Sequence, residues 1–136
     1  MKTRSALEFA DVQTAMAAAI AAATAKGWAV SIALVDEGGH PLALQRLDDA
    51  APLTAYIATE KARTSALGRR ESGAYEKVIN EGRTAFLSAP LVHALLEGGA
   101  PIVIDGQVLG AIGVSGVKST EDLQVAKAGV SAISRP

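Results

Sequence analysis

Val30-Ser-Ile-Ala-Leu-Val-Asp-Glu-Gly-Gly-His-Pro-Leu-Ala-Leu-Gln-Arg-Leu-Asp48 decides the fold class. The run from Val30 to Val35 is filled with apolar residues and reads as a strand. Asp36-Glu37-Gly38-Gly39 reads as a turn, and Leu42 to Leu47 as the strand running back. A second hairpin lies between Pro101 and Gly116 and turns at Asp105-Gly106, the strongest short-range hairpin signal in the chain. Two hairpins give an antiparallel sheet of four strands.

The remaining segments have helical spacing. A first helix is expected from Ala6 to Lys26, with Phe9, Val12, Met16, Ile20 and Ala23 on one stripe and Gly27 as the stop. A second is expected from Pro52 to Leu67, with Leu53, Ile57, Glu60, Thr64 and Leu67 on one stripe. A short third runs from Gly73 to Asn80. A last helix opens at Ser119-Thr-Glu-Asp122 and buries Leu123, Ala126, Val130 and Ile133. Residues 83 to 100 look irregular, with a helical turn over Leu91 to Leu96. Helices must cover the sheet faces, which makes an α+β layered domain, a single unit over residues 1–136.

Composition narrows the function. Thirteen basic and fourteen acidic residues leave a net charge of -1 with no basic run, which argues against nucleic acid as a partner. With no cysteine there is no disulfide, thiolate metal site or thiol nucleophile. Aromatic residues make up 4% of the chain, so the core must be built from Ala, Val, Leu and Ile. No apolar run reaches membrane-spanning length. Lys2 and Arg4 ahead of an alanine-rich stretch imitate a signal peptide, but Glu8, Asp11 and Gln13 interrupt it. A cytoplasmic protein is favoured over an exported one.

Few residues carry chemistry. His40 and His93 are the two histidines, and no carboxylate stands at zinc-ligand spacing from either, so no protein-only metal site is expected. His93 sits in an apolar segment and is expected to pack. Lys61 and Thr64 share a helix face. Gly98-Gly99 precedes a strand, and Gly113-Val114-Ser115-Gly116 ends one; both allow a close backbone approach. Each feature also has a plain structural reading as a turn or a solvated face.

Taken in order, Val35-Asp36-x-Gly38-Gly39-His40, Arg46-x-Asp48, Lys61-Ala62-x-Thr64, Gly98-Gly99-x-Pro101-Ile102-x-Ile104-Asp105-Gly106 and Gly110-Ala-Ile-Gly-Val-Ser-Gly116 resemble the GlcG/HbpS-like family of haem-degrading domains. The resemblance covers nearly the whole chain. Leu96-Glu97 stands where the family pattern has an aromatic residue and proline. The resemblance implies a five-stranded antiparallel sheet of profilin-like, three-layer form, with Thr84 to Leu87 the best source of the fifth strand. It also implies homo-oligomers and, for some members, haem or tetrapyrrole binding.

Three functions are compatible with these residues. A haem- or tetrapyrrole-binding protein would use His40 as the iron ligand, with Arg46 and Lys61 as cationic partners of the propionates and Thr64, Gly99 and Ser115 around the pocket. A small-molecule enzyme would use His40 as general acid or base. Lys61 or Arg46 would hold an anionic group, and the Gly99 and Ser115 backbone would polarise a carbonyl. A ligand-free assembly module would use the apolar hairpin Ile102 to Val114 as its oligomer interface. The first two place His40 and Lys61 in one pocket.

Overall fold

The computed structural model describes residues 1–134. In chain order the elements are α1 (Phe9–Ala25), β1 (Ser31–Asp36), β2 (Pro41–Arg46), α2 (Leu53–Gly68), α3 (Gly73–Asn80), a 3-10 turn (Thr84–Ser88), β3 (Gly99–Ile104), β4 (Gln107–Ser115) and α4 (Ser119–Ile133). The sheet has four antiparallel strands in the order β2-β1-β4-β3. The expected fifth strand is absent from the described residues. Thr84 to Leu87 lies in the 3-10 turn, which packs on α3 through Tyr75 and Phe86, ring centroids 4.9 Å apart. The expected turn over Leu91 to Leu96 is not helical; Leu91 and Ala94 have positive φ.

Local chemistry explains the boundaries. α1 begins at Phe9 rather than Ala6, because the Glu8 amide donates to Asp11 Oδ2 at 2.8 Å and sets the first turn there. It ends in a Schellman motif, with Gly27 N–H on Thr24 O at 3.0 Å and Trp28 N–H on Ala23 O at 3.0 Å. Gly27 takes the required left-handed φ of 69°. Asp105 and Gly106, at φ 51° and 76°, form the tight turn between β3 and β4 that Asp-Gly favours.

The sheet separates two cores. Ile32, Leu34, Ile112 and Val114 face α1 and α4, where they meet Val12, Ala15, Ala19, Val125 and Ala126. Ala33, Val35 and Ala111 face α2, where they meet Ala58, Ala62 and Ala66. This second layer is thin because both sides are small. Gly113 permits it: a Cβ there would fall on the Ala58 carbonyl oxygen and the Ala62 amide. The buried face of α2 is thus its alanine and polar face, not the Leu53–Leu67 stripe. Leu53 and Leu67 are exposed.

The apolar hairpin expected to form an oligomer interface is largely covered. β4 lies inside the sheet between α2 and α4, and Leu109 to Ser115 are buried. Exposed large apolar residues are instead Leu42 and Leu44 on β2 and Leu53 and Tyr56 on α2, with others scattered elsewhere.

Candidate functional site

The turn between β1 and β2 is organised by Asp36. Its Oδ1 accepts the Gly38 amide at 2.9 Å and the His40 amide at 2.9 Å. An aspartate that binds backbone N–H groups two and four residues on fixes a turn without help from packing. Gly39, at φ 78°, completes it. The same carboxylate holds the imidazole: His40 Nδ1 lies 3.0 Å from Asp36 Oδ1 and 3.1 Å from Oδ2. Burial of the Asp36 carboxyl raises its pKa, but the His40 and Gly38 amides and the His40 ring outweigh that and hold it below the usual value.

The His40 side chain is 77% exposed. With Nδ1 tied to a carboxylate, Nε2 is left for an outside group. This is how proteins orient a metal-binding imidazole and raise its basicity. Asp36 was not among the candidate residues of the sequence. Its spacing ahead of Gly38-Gly39-His40 carries the signal, since a short Asp or Asn side chain is what reaches those two amides.

Lys61 belongs to a different cluster. It is 3% exposed, and its Nζ donates to Val114 O at 3.0 Å and to Asp122 Oδ2 at 3.1 Å. Asp122 Oδ1 accepts the Val117 amide at 3.1 Å. Burial pushes the Asp122 carboxyl above its ordinary value, against the pull of the Lys61 ammonium and the Val117 N–H. The pair ties α2 to α4 beneath the end of β4. Gly98, at φ 136°, lies against it, and a Cβ there would be 2.7 Å from Lys61 Nζ.

The other expected pocket residues extend this cluster. Thr64 is buried and its hydroxyl donates to His93 O at 3.1 Å. The Gly99 amide donates to Ser72 Oγ at 2.8 Å, and the Ser72 hydroxyl donates to Leu96 O at 2.6 Å. The Gly99 N–H is therefore taken and does not stand free to polarise a carbonyl. Ser115 is buried beside Ser31 in the β1–β4 ladder. The network ties His93 to α2 and Leu96 to the start of α3. His93 contributes its carbonyl, and its side chain is exposed rather than packed.

The structure thus does not bring His40 and Lys61 together: the first is held at the surface by Asp36, the second inside by Asp122. Arg46 stands at the far end of β2 from His40, opposite Ser31. It lines a groove of about 520 Å³ between β2 and α2, whose walls include Pro41, Leu44, Tyr56 and Glu60. Among the described residues no group of three or more His, Cys, Asp or Glu side chains is placed to hold a metal ion. No helix among them is long and apolar enough to cross a membrane.

The two-hairpin sheet between α2 and the α1–α4 pair makes this a small α+β domain. Residues 7–131 match the family described as haem degrading protein HbpS-like, and the chain belongs to that family. It is 55% identical over 115 residues to Protein GlcG of Escherichia coli strain K12, with 85% of each chain covered. A crystal structure of a double mutant of Streptomyces reticuli HbpS superposes with a TM-score of 0.89 at 29% identity, covering 99% of this chain and 92% of that one. A PduOC–haem complex shares the fold, with a TM-score of 0.82 at 24% identity over 95% of this chain and 96% of that one.

Proposed function

We propose that this protein binds haem or a related tetrapyrrole as a homo-oligomer, with Nε2 of His40 as the ligand to the iron. The observation that carries the reading is the exposed imidazole whose Nδ1 lies on both oxygens of Asp36, 3.0 and 3.1 Å away. A histidine poised in this way fits an axial ligand, since the carboxylate fixes the tautomer and strengthens the donor nitrogen. The family's description as haem degrading supports the same ligand class. The iron would supply the affinity for the imidazole. The chain's own Asp36 orients that imidazole.

Lys61, Thr64 and Gly99 serve this site indirectly, because their polar atoms are occupied in the buried network, and Ser115 is buried in the β1–β4 ladder. Arg46 is too far along β2 to serve the His40 of its own chain: the strand between them spans six residues, roughly 20 Å.

Hemin titration tests the reading. The wild-type protein is expected to give a saturable Soret change, His40→Ala to lose or strongly shift it, and His93→Ala to keep it. A wild-type titration with no saturable change would remove the proposal and leave His40 as an acid–base group for a small substrate.

A further inference from the structure

We infer that the β2 edge and the groove beside it are the docking face for a second copy of this chain, arranged about a two-fold axis with the β2 strands antiparallel. The inference rests on the homo-oligomer part of that reading and is independent of which ligand His40 takes.

The two edges of the sheet are unlike. β3 is protected: Pro101 removes an amide, and the Gly99 carbonyl accepts the Ser72 amide at 3.1 Å. In β2 the proline, Pro41, is the first residue of the strand, so the amides from Leu42 onward remain. The Leu47 amide donates to Val30 O at 2.9 Å, so the alternation of the ladder turns the backbone groups of Leu44 and Arg46 outward. Five of its six residues are exposed, Leu42 and Leu44 among them. The groove next to them adds Tyr56, 75% exposed. An open, apolar edge of this kind pairs with another strand unless something covers it.

Charge selects the second copy as the occupant. α2 runs against β2. Its start lies at the Arg46 end, where Thr54 and Ser31 share a 2.8 Å hydrogen bond. Its later turns lie at the other end, where Arg63 packs on Gly39. Glu60 therefore stands toward Pro41. Its Oε1 takes the Arg63 guanidinium at 2.6 Å, but its Oε2 is buried without a donor. A buried carboxylate oxygen without a partner is costly. At the opposite end of the same groove, Arg46 is exposed and makes no ion pair among the described residues. A two-fold axis inverts β2, so Arg46 of the second copy arrives at the Pro41 end, where Glu60 lacks its donor. The symmetry forms this pair twice. It also delivers a guanidinium to the His40 end of β2, which Arg46 of the same chain cannot reach.

Light scattering and sedimentation at micromolar concentration test the interface. The wild-type protein is expected to be a dimer or an even multiple of one. Leu44→Asp, at a half-exposed position, should reduce the mass at least two-fold while circular dichroism stays unchanged. Arg46→Glu should raise the dissociation constant by about ten-fold or more, and Arg46→Glu with Glu60→Arg should restore it. A monomeric wild-type protein, leaving the groove to a small ligand or another partner, would overturn the inference. So would a Leu44→Asp variant of unchanged mass. If Leu44→Asp does not fold, the charge exchange decides alone: restoration supports the pairing and its absence contradicts it. Hemin titration of the same samples reads the ligand separately, so the haem reading and the interface can each fail without the other.

Discussion

Lys61 and Asp122 show how much one pair of side chains can hold in this chain. They lie 61 positions apart, each side chain only 4% exposed, and join α2 to α4. Their separation hides the pairing from any reading of local sequence, and Asp122 looks like no more than a helix-start residue. His40 is different. Asp36, the two glycines and the histidine fall within five residues, so the turn is legible, and only the hold of Asp36 on the imidazole needs coordinates. Removing one charge of the buried pair leaves the other without compensation. Asp122→Ala is expected to cost about 3 to 5 kcal/mol of unfolding free energy, and Lys61→Met with Asp122→Leu markedly less, since the cost lies in the orphaned charge. Chemical denaturation of both variants measures the difference, and equal losses would contradict this account of the pair.

The elements were legible wherever a stop or turn signal accompanied the pattern. Gly27, Asp105-Gly106 and the Gly73–Asn80 helix fall where sequence places them. Among the readings that failed, two have a clear physical reason. Thr84 to Leu87 has apolar content but too short a run to pair, and Tyr75 draws Phe86 onto α3 instead. On α2 the large apolar residues misled, because β1 and β4 present small residues and Gly113 admits only an alanine face. Closeness of α2 to the sheet is thus set at Gly113. Gly113→Ala is expected to destabilise the fold by about 1 to 3 kcal/mol by forcing backbone apart. Thermal unfolding that shows no loss would mean that the helix can retreat freely.

At the scale of the whole molecule, the sheet buries its centre between helices and leaves one edge open. The sequence suggested assembly through the last hairpin, yet β4 is central and covered, and the open edge is β2. Strand order is a long-range property that hairpin signals do not contain. The family resemblance reached further than local patterns did, since the match over residues 7–131 spans the whole layered unit. What it left unassigned is the role of each motif: the Gly-Gly-His turn faces solvent, while the Lys-x-x-Thr and Gly-Gly motifs make the buried network. The central claim is that the solvent-facing motif binds a tetrapyrrole through His40. Native mass spectrometry with added hemin tests it most directly. The account predicts hemin adducts on the wild-type protein that saturate with concentration and are lost in His40→Ala. A wild-type spectrum without adducts, or a His40→Ala spectrum that keeps them all, would contradict it.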